Sequence, residues 1–330
     1  MSGITGVSSY PATVETFNLH WQNVNMALAP AELVLPNGTT QADFQQMKSV
    51  LATSFTDTVV AGEAERRAAA NLLLARGKLQ PRFVQFGQSV RLYLNQSRFA
   101  DGAPKTPTLT AGLSVYQTAG GKMDISWSAI NGAGDLAPFQ PPLLLPDFSA
   151  PSSPGYTLAQ FQAELALLET LFSDDSRATL GATQQRANRN ALLPPIYEAM
   201  KNYRAACLLI LPKGSPLLAT LPRLTPPPGT TPKPVVVSGA WDNQLGQARL
   251  TWPAATASNV DKLQVRACTG GTYKAADEEI IADLPAATTH WEGDWGLTAP
   301  GAIATFKVYV MTTTGNENGG KAVKIVRPVT

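Results

Sequence analysis

Apolar residues recur every three or four positions through two long stretches of the chain. Phe44, Met47, Leu51, Phe55 and Val59 form one stripe, and Phe161, Leu165, Leu168 and Phe172 form another. That spacing places each set on one side of a helix. The patterns run on to Leu74 and Leu192, which predicts helices of more than thirty residues, roughly 50 Å long at about 1.5 Å per residue. Each begins at a capping signature: Thr40 is followed by Asp43, and Thr157 by Gln160. The hydroxyl and the acceptor three residues on each satisfy an orphan backbone N–H. Gly77 in the first stretch corresponds to Pro194 in the second. Two helix breakers at one position predict a shared corner. Beyond it Phe83, Phe86, Val90, Tyr93 and Leu94, and likewise Tyr197, Met200, Tyr203, Cys207 and Ile210, continue as a second helix. Each stretch therefore reads as a helical hairpin.

The two hairpins are one sequence used twice. Shifting residues 40–94 by 117 positions lays them over 157–211 without a gap, with Phe44 on Phe161, Leu51 on Leu168, Asn71 on Asn188 and Leu92 on Leu209. Upstream, Leu28-Ala29-Pro30 answers Leu136-Ala137-Pro138, and Leu33 to Pro36 answers Leu143 to Pro146. Tandem units bury their apolar faces against one another, so the expected arrangement is a four-helix bundle. A short amphipathic helix over residues 12–27, carrying Val14, Phe17, Trp21 and Val24, precedes it.

Elsewhere the period falls to two. Residues 109–116 and 122–127 alternate apolar with polar about Gly120-Gly121, which predicts a β-hairpin. Pro107 to Trp127 reads like Pro232 to Trp252. From there strands are expected at 235–241, 248–252, 262–268, 279–282, 289–292, 304–312 and 321–326, the number and spacing of a β-sandwich. The expected fold is α+β and multidomain: 1–105, the N-terminal helix and first hairpin; 106–156, the β-hairpin and a Pro/Gly-rich connector; 157–225, the second hairpin; 226–330, the sandwich. Pro226-Pro227-Pro228-Gly229 opens the last of these as a stiff linker.

The sandwich region resembles the fibronectin type III family. Leu250-Thr251-Trp252-Pro253 sits where that family has its strand-B tryptophan. Pro300-Gly301, Thr305-Phe306-Lys307-Val308-Tyr309-Val310 and Gly315-Asn316-Glu317-Asn318-Gly319 follow its strand-F and F–G loop pattern. The family's corner tyrosine is matched here by Ala304, and no Arg-Gly-Asp triplet occurs, so integrin-type binding is not implied. Helical hairpins joined to such a domain also resemble a group of uncharacterised bacterial proteins. The resemblance implies an architectural or interaction module, and a fold alone assigns no function.

Composition narrows the function classes. Charged residues make up 15% of the chain and the net charge is +2, without the basic clusters that neutralise phosphates, so nucleic acid is not an expected partner. Cys207 and Cys268 sit among apolar neighbours, and His20 and His290 lack ligand spacing; no metal or other cofactor is expected. No run approaches the ~18–20 apolar residues of a membrane span, and residues 1–10 lack a basic n-region and an apolar core. The expected location is extracellular or at the cell surface without a standard signal peptide, with the cytoplasm as the alternative.

No phosphate loop, nucleotide fingerprint or nucleophile elbow is present, so no catalytic residues are expected. The most unusual string is Thr288-Thr289-His290-Trp291-Glu292-Gly293-Asp294-Trp295. Trp291 and Trp295 are suited to stack on a sugar ring while Glu292 and Asp294 accept from its hydroxyls. Strand alternation opposes this by burying one aromatic. Tyr116 and Trp127, on a β-hairpin with open edges, are candidate interface positions. The leading expectation is a non-enzymatic structural subunit, a homo-oligomer or polymer in a surface layer, appendage or filament. The alternative is an adhesin or carbohydrate-binding module that takes a glycan on the C-terminal sandwich.

Overall fold

A computed structural model describes residues 4–94, 98–132, 143–145, 155–225, 231–313 and 315–329. Helices come first: α1 (Tyr10–Leu28), α2 (Gln41–Tyr93), α3 (Arg98–Asp101), α4 (Leu113–Gly132), α5 (Leu158–Ile210) and α6 (Pro216–Ala219). Strands follow: β1 (Ser238–Asp242), β2 (Gln247–Thr251), β3 (Val260–Thr269), β4 (Glu279–Pro285), β5 (His290–Gly293), β6 (Ile303–Thr312), β7 (Glu317–Gly319) and β8 (Val323–Val326). The α+β expectation holds. The Pro226–Gly229 linker, the 136–138 match and most of the connector before α5 lie outside the described residues.

Each predicted hairpin is instead one helix. The helices α2 and α5 contain 53 residues apiece, and their bounds differ by the same 117 positions as their sequences. No corner forms at Gly77, or at Pro194, which with Pro81 and Pro195 lies inside a helix. An internal proline costs ~3 kcal/mol or more. The apolar stripe outweighs it. Leu79, Phe83 and Phe86 near Pro81, and Leu193, Ile196 and Met200 near Pro194, are all buried, each contributing roughly 1.5–3 kcal/mol.

The chain forms two compact units, Met1–Glu63 with Gly181–Thr330, and Ala64–Leu180. In the first, the α1 stripe of Val14, Phe17, Trp21 and Val24 packs with Phe44 and Leu51 of α2 and with Ile196, Met200, Tyr203 and Cys207 of α5. Trp21 stacks on Tyr203 at 4.6 Å. The connection from α1 to α2 is held by two bonds: Trp21 Nε1 donates to Leu33 O (3.2 Å) and Leu33 N donates to Asn25 Oδ1 (3.0 Å).

The second unit repeats this device. Trp127 Nε1 donates to Leu143 O (2.9 Å) and Leu143 N donates to Asn131 Oδ1 (2.8 Å). The predicted β-hairpin at 109–127 is therefore corrected: most of it is α4, the counterpart of α1 and not of the sandwich strands. Its buried residues Tyr116, Ala119, Gly120, Met123, Trp127 and Ile130 fall on one face of a helix. The alternating reading borrowed Val115 and Ile125, which lie off this stripe and are exposed. Gly120 is a close approach rather than a turn. A Cβ there would come within 2.6 Å of Leu165 Cδ2.

His20 of α1 is buried. Its Nε2 lies 2.9 Å from Leu217 O, a pure acceptor, so Nε2 carries the proton and Nδ1 accepts from Tyr203 Oη at 2.6 Å. Burial holds its pKa below the ordinary value; the Leu217 bond opposes this and Arg204 adds to it. The unfolded chain takes up this proton near pH 6.5. A depressed folded pKa gives stability that is full above that pH and lost as pH falls through the folded value. Between about pH 7 and 5 the wild-type urea midpoint should fall further than that of His20→Gln. Equal pH slopes would remove His20 as the titrating group.

The sandwich has sheets β1-β2-β5 and β4-β3-β6-β7, with β8 also paired to β6. Every predicted strand is present with shifted ends. Leu263, Val265 and Ala267 of β3 and Phe306, Val308 and Val310 of β6 fill its core. The intervening Gln264, Arg266, Cys268, Thr305 and Tyr309 on the outer face are buried as well. Part of this unit's helical layer reaches the sandwich: Arg189 of α5 donates to Ala276 O (2.6 Å), and Arg186 pairs with Asp277 at 3.3 Å. Cys207 and Cys268 are both free and buried. Burial pushes the Cys268 thiol up to about 11.

Candidate functional site

One edge of the sandwich and the helices of the same unit enclose a cleft of about 520 Å³. The stretch Glu278-Glu279-Ile280-Ile281 at the start of β4 lines one wall. Trp291 and Gly293 of β5, with Asp294 and Trp295 just beyond, line another. Phe55, Val59 and Glu63 of α2, Arg189 of α5 and the segment carrying Ser8 and Pro11 complete it.

Strand alternation sets the aromatic wall. Trp291 and Gly293 share a face, and the indole lies along the strand because residue 293 has no side chain; a Cβ there would meet Trp291 Cζ2 at 2.6 Å. Both tryptophans rest on the core residue Phe306, Trp291 at 5.6 Å and Trp295 edge-on at 6.4 Å between ring centres. Each is half-buried. The cleft thus gathers Trp291, Asp294 and Trp295. Glu292 alternates away and pairs with Arg249 of β2 at 3.3 Å.

Tyr116 and Trp127 are corrected as interface candidates. Both are fully buried in the second unit's core, and Tyr116 Oη donates to Thr108 O at 3.0 Å. They pack because α4 is a helix.

Arg189 was not anticipated. It is buried, its Nε and Nη2 donate to Asn190 Oδ1 (3.2 and 3.1 Å), and its guanidinium lies 5.4 Å from the Phe55 ring centre. Burial lowers its pKa, and Asp277 opposes that. The repeat carried a signal for it: Arg189 stands at the position of Leu72, buried in the other copy.

Glu278 ties the cleft to a buried polar cluster. Arg266 Nη1 donates to Glu278 Oε1 (2.8 Å) and Glu317 Oε1 (3.1 Å), its Nη2 donates to Glu317 Oε2, and its Nε donates to Gln264 Oε1 (2.6 Å). Its guanidinium sits 3.9 Å from the Tyr309 ring centre. The hydroxyls of Tyr273 and Tyr309 donate to Glu278 Oε2. Burial works against the Arg266 charge, and Glu317 and Glu278 more than restore it, so its pKa stands above the ordinary value. Burial and the Glu278 charge push Tyr309 up to about 12.

Among the described residues no group of three or more His, Cys, Asp or Glu side chains is placed to hold a metal ion. No described helix is long and apolar enough to cross a membrane.

No family model matches the chain, and no curated protein matches it significantly. Solved structures give partial likenesses. A Fn3-like protein from Clostridium thermocellum is 20% identical, with 30% of this chain and 96% of that chain covered and a TM-score of 0.25. Pectate lyase PelI from Erwinia chrysanthemi, in complex with tetragalacturonic acid, is 19% identical with a TM-score of 0.24. This chain covers only 28% of that enzyme's length, and 28% of this chain is matched. The FN1–FN3 domains of chicken CNTN1 are 14% identical, with 31% of this chain and 33% of that chain covered and a TM-score of 0.24. The C-terminal strands form two antiparallel sheets, β1-β2-β5 and β4-β3-β6-β7.

Proposed function

We propose that the chain is a non-enzymatic structural subunit that associates with further copies of itself, its helical units serving as spacers and its sandwich as an interaction module. An open-edged β-hairpin is not the contact, because residues 113–132 form the helix α4. The observation that supports self-association is a set of exposed apolar side chains at equivalent positions of the two copies. Leu92 is 73% exposed and Leu209 86%. Tyr93 and Ile210, Val50 and Leu167, and Leu19 and Ile125 are further exposed pairs.

Core positions recur because both copies must pack. Exposed apolar positions have no such reason in an isolated molecule; a surface used for contact supplies one. A molecule that carries the same surface twice can pass the contact on to a next copy, and a contact that does not close on itself builds a filament. A surface layer, appendage or filament at the cell surface fits this reading. In light scattering, the weight-average mass should rise with concentration over a roughly hundredfold range, by mass action. A constant monomer mass overturns the proposal.

The cleft favours a second reading, a carbohydrate-binding module. Two tryptophans and a carboxylate converge on a concavity of about 520 Å³, within the ~300–1,000 Å³ typical of small-ligand sites.

A further inference from the structure

We infer that the cleft takes an N-acetylated sugar, a pyranose carrying a neutral acetamido group; this rests on the carbohydrate reading above. Two donors in its walls are unspent. Arg189 is 4% exposed and lines the cleft. Its Nε and Nη2 serve Asn190 and Ala276. Its Nη1 donates to no described residue, yet it is not sealed from solvent. Trp291 is half-buried in the opposite wall, and its Nε1 is in the same condition. Donors held in a concavity are completed by an acceptor that enters it.

That acceptor need not be charged. Asp277, Glu278 and Glu279 favour the Arg189 charge, against the one cation Arg186, so the guanidinium lacks a hydrogen-bond partner and not a counterion. A carboxylate ligand would be set against those acids. An amide carbonyl is neutral and has two lone pairs to accept with. Its N–H needs an acceptor in turn. Asp294, in the same lining, has an exposed carboxylate that takes no hydrogen bond from any described residue. The acetyl methyl meets the apolar lining of Pro11, Phe55, Val59 and Ile281, while the ring stacks on indole. A sugar that carries only hydroxyls keeps the stacking and sets polar groups against that lining.

The test is calorimetric titration of the full chain with four probes: the N-acetylglucosamine trimer, the β-1,4-linked glucose trimer, trigalacturonic acid and trialanine blocked at both ends. The acetylated trimer is expected to bind at least about tenfold more tightly than the glucose trimer, and trigalacturonic acid not to bind. Arg189→Lys keeps the charge and removes the spare donor, and should narrow the preference to about threefold or less. Arg189 also braces Ala276, so Trp291→Phe is read beside it. That variant keeps a ring face, removes the indole N–H and should narrow the preference in the same direction. Equal binding of the acetylated and glucose trimers, or a full preference in both variants, leaves the carbohydrate reading standing and overturns the acetamido assignment. Binding of the blocked peptide with no sugar bound, or of no probe at all, overturns both.

Discussion

Arg266→Met is expected to lower the stability of the first unit by about 3–5 kcal/mol, because removing one member of a buried ion cluster strands the others. The Arg266, Glu278 and Glu317 side chains are 2–4% exposed. Methionine leaves two buried carboxylates facing each other with no cation. Against a typical folding free energy of 5–15 kcal/mol this is a large fraction. A triple replacement, Arg266→Met with Glu278→Leu and Glu317→Leu, should recover most of the loss, since apolar residues of similar volume often substitute for a whole buried cluster. Urea midpoints check both variants. A loss below about 1 kcal/mol for the single variant would mean that solvent screens the cluster as it does surface pairs.

Trp127→Ala should cost the second unit about 3–5 kcal/mol, the range for deleting a large buried aromatic. The indole is fully buried. It packs near Phe86 at 5.6 Å and Phe161 at 6.2 Å between ring centres. Its N–H also secures Leu143 O. Trp21→Ala should cost the first unit a comparable amount, because Trp21 makes the equivalent bond to Leu33 O. Trp127→Phe should fall between, keeping most of the packing and losing the hydrogen bond, itself worth roughly 1–3 kcal/mol when a buried partner is left unsatisfied. An interface tryptophan would change association and leave the urea midpoint unmoved.

The repeat, its offset and its caps were legible because they are local. Thr40 N donates to Asp43 Oδ2 at 2.9 Å and Thr157 N to Gln160 Oε1 at 2.7 Å, as the spacing implied. The sandwich strands were legible because successive residues face the core and the outer side in turn, which writes a period of two into the core-facing Leu263, Val265 and Ala267. The corners were misread because a breaker's local cost was weighed without the tertiary burial that opposes it. The helix α4 was misread because Gly120-Gly121 imitates a hairpin turn, whereas Gly120 answers to Leu165, a residue remote in sequence. Trp291 and Trp295 could be picked out as a string. Their companions Arg189 and Phe55 could not, since a cleft drawn from distant segments leaves no spacing to find. The Arg266–Glu317 contact, 51 residues apart in sequence, is hidden for the same reason.

Sedimentation velocity of the wild type beside a Leu92→Glu/Leu209→Glu double variant tests the self-association claim most directly. Both positions are exposed, so charge can be placed there without entering either core. The wild type should sediment faster as concentration rises, and the double variant should remain monomeric over the same range. A monomeric wild type, or a variant that associates as the wild type does, would contradict the account.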